Sequence, residues 1–149
     1  MAAYKDITLT LSDRVKLVVK TAKTGAPYLR FERDERPRVI LFEESWKRLK
    51  EVSIQASAIF EGYGANLLTE WLLNDSPTSQ QKLLATTFKD VTYVGIHTFD
   101  SDGNRVEGRA VNLNAEEWRK LVQMIGEVDT AMKMKTAGES AKGEVRTIL

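Results

Sequence analysis

The chain has 149 residues, enough for one ordinary domain or two small ones, and its 42% hydrophobic and 29% charged side chains are a globular mixture with material for a core. It has no cysteine and one histidine, His97, which excludes disulfide frameworks, thiolate chemistry and metal sites built on two histidines. The net charge is only +1, no apolar run approaches the roughly 18 residues of a membrane span, and the start, MAAYKDITLT, lacks a signal peptide's apolar region, so an intracellular protein (cytoplasm, nucleoid or nucleus) rather than a secreted one is expected.

Near neutrality is an average over unlike parts. Residues 14–50 carry eleven bases against five acids, a net +6, and the remainder carries −5. A basic segment of this kind is a solvated surface unless its bases share one face.

In chain order, ITLTL (7–11) and VKLVVKT (15–21) read as strands, followed by a turn at TGAP (24–27). YLRFERD (28–34) alternates cleanly, and RVILF (38–42) follows Pro37, which suits a strand's opening better than a central position. The period then changes. Trp46, Leu49, Val52 and Ala56 predict a helix from Glu43 to about Phe60, with Glu43 and Glu44 at its positive end. ANLLTEWLLN (65–74) predicts a second, short helix, and NDSPTS (74–79) a linker. KLLATTF (82–88), a turn at Lys89 and Asp90, VTYVGIHTF (91–99), a turn at DSDGN (100–104) and RVEGRAVNL (105–113), bent at Gly108, restart the strand pattern. Asn114 then caps a helix whose apolar stripe is Trp118, Leu121, Val122, Ile125, Val128 and Met132. Residues 136–149 predict a flexible tail.

The second half repeats the first. RPRVILFEESWKRL (36–49) aligns with GRAVNLNAEEWRKL (108–121) at a spacing of 72 positions, matching Val39 to Val111, Leu41 to Leu113, Trp46 to Trp118 and Leu49 to Leu121. The hairpins KLVVKTAKTGAPY and KLLATTFKDVTY align as well. The fold class that follows is α+β: two copies of a curved antiparallel β-sheet followed by an α-helix, packed through their helices and tryptophans as an intramolecular pseudo-dimer. The predicted units are 1–76 with the extra short helix, 77–135, and the tail 136–149.

Strand parity assigns faces. In the first copy Leu17, Val19, Leu29, Phe31, Val39 and Leu41 turn inward, leaving Lys16, Lys20, Tyr28, Arg30 and Arg38 on the helix-free face. In the second, Val94, Ile96, Val111 and Leu113 turn inward, leaving Tyr93, His97 and Phe99 outside with Lys82 and Phe88 near them. Bases interleaved with aromatic rings suit single-stranded nucleic acid, since rings stack on bases and cations hold phosphates. Lys23, Lys89, Arg105 and Arg109 complete the candidate set.

The segment IHTFDSDGNRVEGRAVNLNAEEWRKLVQMIGEVDTAM resembles the C-terminal domain of the transcriptional coactivator positive cofactor four, within the Whirly-like group of single-stranded DNA binders. The resemblance spans about residues 82–134 and reaches 14–60 only through the internal repeat. It implies a curved sheet whose ridges bind single strands, and helix-mediated dimerisation. The family's hairpin Phe and Lys fall on Phe88 and Lys89, its next basic position on His97 and its aromatic strand end on Phe99. Asp100 stands where the family has a tryptophan, and in the first copy Lys23 is kept while Ala22 replaces the aromatic.

No phosphate-binding glycine loop, nucleophile elbow or metal-ligand cluster is present, and DSDGN reads as a turn rather than a calcium loop, so neither catalysis nor a cofactor is expected. The expected activity is largely sequence-independent binding of single-stranded DNA in replication, recombination or transcription. RNA binding and a protein-interaction module using the same face are the alternatives. Replication or transcription proteins are the expected partners, with further homodimerisation through the segment around Leu67, Leu68, Trp71, Leu72 and Leu73.

Overall fold

The computed structural model describes residues 6–61, 70–76 and 78–135. The first copy comprises β1 (Ile7–Thr10), β2 (Val15–Thr21), β3 (Pro27–Arg33), β4 (Arg36–Phe42) and α1 (Glu43–Ile59). The second comprises β5 (Glu70–Asp75), β6 (Ser79–Phe88), β7 (Val91–Asp100), β8 (Arg105–Leu113) and α2 (Ala115–Gln123), and residues 125–135 are again helical after a break at Met124. Each copy forms a four-stranded antiparallel sheet with its strands in sequence order. Two sheets, each followed by helices, make the α+β arrangement that the repeat predicts.

Alternation drives both sheets. Val15, Leu17, Val19, Leu29, Phe31 and Leu41 are fully buried on one face of the first, and Leu83, Val94, Ile96, Val111 and Leu113 are buried on the second. The registers agree residue by residue. Lys20 stands opposite Tyr28 as Thr86 stands opposite Tyr93, Val18 opposite Arg30 as Leu84 opposite Gly95, and Leu29 opposite Leu41 as Val94 opposite Leu113. Two hairpins turn on left-handed pairs, Asp34 with Glu35 and Lys89 with Asp90, a twist that matches flanking strands.

One element differs from the sequence expectation. The described part of the run predicted as a short helix over 65–74 is strand β5, which pairs with β6, and the second sheet therefore opens at Glu70. A short apolar run carries both periods, and pairing decides between them. Inward-facing Leu73 is buried, and Trp71 donates its indole N–H to Gln55 Oε1 of α1 at 3.1 Å, so neither is the free dimerisation surface expected of this segment. Leu72 is exposed, and Leu67 and Leu68 lie outside the described residues. Of the predicted linker at 74–79, Asn74 and Asp75 end β5 and Ser79 opens β6, and Ser76 N–H donates to the Ser79 carbonyl at 3.0 Å. The predicted tail, 136–149, also lies outside the described residues.

The helices begin differently. Asn114 and Glu117 form a capping box at α2, each side chain accepting from the other's backbone N–H. At α1 the N-cap is Phe42, without a side-chain cap, and Glu43 and Glu44 occupy the first turn.

The copies share one hydrophobic core that runs from Leu11 to Met132. Some of the polar bonds between them come in reciprocal pairs. Trp46 donates its indole N–H to Asp129 Oδ1 at 2.8 Å, and Trp118 donates to Ser57 Oγ at 2.8 Å. Trp46 and Trp118 are repeat mates, and so are Ser57 and Asp129, each pair 72 positions apart. At the strand edges the acceptors are repeat mates, although the donors are not. The Ile40 carbonyl on β4 accepts from Gln81 Nε2 at 2.6 Å, and its mate, the Asn112 carbonyl on β8, accepts from Arg33 Nη1 at 2.9 Å. Contacts in which each copy gives the other what it receives are the signature of a two-fold interface, here inside one chain. The pseudo-dimer also occupies backbone groups on β4 and β8 that would otherwise face outward as open edges. No helix among the described residues is long and apolar enough to cross a membrane.

Candidate nucleic-acid interface

The helices cover one side of each sheet; on the other side Val18, Leu84 and His97 are buried, and the longer side chains around them are half-buried to exposed. On the first sheet this other side is built from residues out of phase with the core. Lys16, Val18 and Lys20 come from β2, Tyr28, Arg30 and Glu32 from β3, and Arg38, Ile40 and Phe42 from β4. One cross-strand row reads Lys20, Tyr28, Phe42, with the two ring centroids 5.5 Å apart. The next reads Val18, Arg30, Ile40. Lys16 stands opposite Glu32 in the third, and Arg38 flanks that row where a bulge at Phe31/Glu32 shifts the register of β4.

Some of this charge is already paired. Lys20 reaches Asp6 at 2.8 Å, and Arg30 reaches Glu32 at 2.5 Å. The Nε atoms of Arg30 and Arg38 are buried without a hydrogen-bond partner. Lys23 is exposed in the β2–β3 turn. Below this face Arg14 grips Asp34 with two nitrogens at 2.8 Å each, which holds the Asp34 carboxyl below its ordinary value.

Phe42 and Ile40 are absent from the candidates that the sequence suggests, yet they are 48% and 41% exposed and complete the aromatic and apolar part of the face. Their signal is present in the sequence: they alternate with buried Val39 and Leu41, as Arg38 does.

The second sheet is more aromatic and less basic. Phe88, 63% exposed at the β6–β7 hairpin, lies under Lys89 Nζ at 5.3 Å from its ring centroid. Lys82 Nζ sits 5.0 Å from the Phe99 centroid while bridging to Glu70 at 3.1 Å. Arg105 of β8 stands opposite Phe99, and Tyr93 is half-buried opposite Thr86. Phe88, Lys89 and Arg105 are exposed, and Lys82 and Phe99 are half-buried.

His97 lies on this face but is only 5% exposed, and its Nε2 is 2.8 Å from Asn112 Oδ1. Burial pushes its pKa below the ordinary value, the Asn112 bond opposes this, and the charge of Arg105 lowers it further. The ring is therefore neutral at pH 7 and is a fixed part of the sheet, not an exposed base. Gly95 makes room for its partner Asn112: a Cβ there would overlap Asn112 Oδ1 and lie 2.9 Å from the Val111 carbonyl.

Arg109 departs from its neighbours. It shares the inward parity of Val111, and beyond the helix-covered area it is exposed beside Arg38 and Ile40 of the first copy. Asp100, the turn acid, spends one carboxylate oxygen on the N–H groups of Asp102 and Asn104, at 2.9 Å each. No group of three or more His, Asp or Glu among the described residues is placed to hold a metal ion.

A comparison of the chain with protein-family models and with curated proteins finds no match.

Proposed function

We propose that this protein binds single-stranded DNA with little sequence preference and acts in replication, recombination or transcription. The observation that carries this reading is the helix-free face of the first sheet, where Lys16, Lys20, Arg30 and Arg38 are interleaved with the Tyr28–Phe42 ring pair. Stacking of bases on such rings contributes about 1–3 kcal/mol each and tolerates any base. Cations on the same face hold phosphates, which makes the binding salt-sensitive. The second sheet offers Phe88, Phe99 and Tyr93 with fewer free cations, a surface suited to bases more than to phosphates. The resemblance of residues 82–134 to the coactivator family supports the same activity. Binding alone, without catalysis or cofactor, is the proposed activity.

The test is titration of labelled oligo-dT at low salt with wild type and with Arg30→Glu/Arg38→Glu. Wild type is expected to bind, and the double reversal to weaken binding by about 100-fold, roughly tenfold for each guanidinium exchanged for a carboxylate that repels the phosphates, with an unchanged circular dichroism spectrum. Absence of wild-type binding at low salt refutes the reading, and an unaffected double variant refutes this choice of face. RNA of the same length binding more tightly than DNA would transfer the proposal to RNA, since stacking and phosphate contacts serve both polymers.

A further inference from the structure

A cleft of about 320 Å³ lies on the seam between the copies, between β4 of the first sheet and the β6–β8 end of the second. Arg38 and Ile40 line it from one copy, and Ser79, Gln81, Thr98 and Arg109 from the other. No Asp or Glu is among its lining residues. Among the described residues neither Arg38 nor Arg109 forms an ion pair within 4.0 Å. Asp34 senses the charge of Arg38, but Arg14 already grips that carboxylate. Arg38 also keeps a buried Nε with no partner. Two arginines, one from each copy, therefore line a space whose other walls are Ser79, Gln81 and Thr98 from the second copy and Pro37, Val39 and Ile40 from the first, with room for an anion and its water. Planar guanidinium forks match phosphate oxygens better than any other side chain does. Arg38 continues onto the face that carries Arg30 and Tyr28, so a strand lying there reaches the cleft at its β4 border.

The geometry points to a phosphate site: the cleft takes one backbone phosphodiester of a single strand as it passes from the first sheet towards the second, held between Arg38 and Arg109. This rests on the single-strand reading above. The shared chemistry is the phosphate group, and a free phosphate ion is the other source of it.

Two arms separate the sources. In the first, oligo-dT affinity is measured between about 50 and 200 mM NaCl for wild type, Arg38→Gln, Arg109→Gln, the double variant and Tyr28→Ala, each checked for fold by circular dichroism. Each single Gln variant should weaken binding about three- to tenfold, and the two should combine less than additively because they share one phosphate. The double variant should lose about 0.7 from the slope of log K against log salt. Arg38→Lys/Arg109→Lys, which keeps both charges, should restore most of that slope and covers the case in which a Gln variant misfolds. In the second arm, inorganic phosphate is titrated while the amide resonances of Thr98 and Arg109 are followed. Saturable shifts in wild type, abolished in the double Gln variant, are expected. An unchanged salt slope in the double Gln variant, with Tyr28→Ala weakened, overturns the phosphate site and leaves the single-strand reading standing. Inorganic phosphate bound in the cleft alongside an unchanged slope makes it a free-anion site off the strand's path and overturns the proposal. Absence of oligo-dT binding by wild type overturns both.

Discussion

The two tryptophans provide a controlled comparison of the contacts that join the copies. Both are 2% exposed and occupy equivalent positions, so replacing either by Phe removes a similar amount of packing. The acceptors differ. Trp46 donates to a carboxylate, Asp129, which Lys50 also holds at 2.9 Å, whereas Trp118 donates to the hydroxyl of Ser57. A hydrogen bond to a charged group contributes about 1.5–3 kcal/mol and a neutral one about 0.5–1.5. With the packing loss shared, Trp46→Phe should cost about 1 kcal/mol more than Trp118→Phe. Urea unfolding followed by far-ultraviolet circular dichroism measures both, and the difference in midpoints at equal m gives the comparison. Because one core spans both copies, each variant should still unfold in a single transition. Trp118→Phe costing as much as Trp46→Phe would refute the stronger bond to Asp129, and a second transition in either variant would refute the shared core.

Three further outcomes follow from local geometry. Gly95→Ala should destabilise by about 1–3 kcal/mol, because the added Cβ overlaps Asn112 Oδ1 and crowds the Val111 carbonyl; a neutral result in a thermal melt would remove the close approach from the account. His97 has a folded pKa below its ordinary 6.5, so the unfolded chain binds that proton more readily and stability is lost as pH falls below about 6.5. His97→Gln should flatten that part of the stability–pH profile, and an unchanged profile would contradict the burial argument. Asn114→Ala should cost about 1 kcal/mol by opening the capping box of α2, whereas Phe42→Ala, at a cap without a side-chain acceptor, should leave α1 intact while weakening oligonucleotide binding.

Much of the architecture was legible because period and repeat are local properties. Alternation identified the buried faces, and the paired strand-to-helix junctions identified Trp46 and Trp118 as equivalent interior positions. What was missed depended on pairing or depth. EWLLND is too short for its period to exclude a helix, and only β6 shows that it is the counterpart of β1: Trp71 stands opposite Leu83 as Leu9 stands opposite Leu17. Parity placed His97 on the helix-free face but gave no measure of how far its neighbours enclose it. Arg109 follows Gly108, whose φ of +80° bends the strand, so its placement with Arg38 on one cleft across the seam is a tertiary fact with no local signal. Phe42 ends a strand and caps a helix, which masks its place on the face, although its alternation with Leu41 puts it beside Tyr28.

We propose that the helix-free faces bind single strands. It is tested most directly by competition: labelled oligo-dT bound to the protein at low salt is challenged with unlabelled single-stranded DNA, duplex DNA and RNA of equal length. Efficient displacement by single-stranded DNA of any sequence is expected, with weak displacement by duplex, whose bases are not free to stack, and progressive loss of binding as salt rises. Equal displacement by duplex, or binding indifferent to salt, would contradict it.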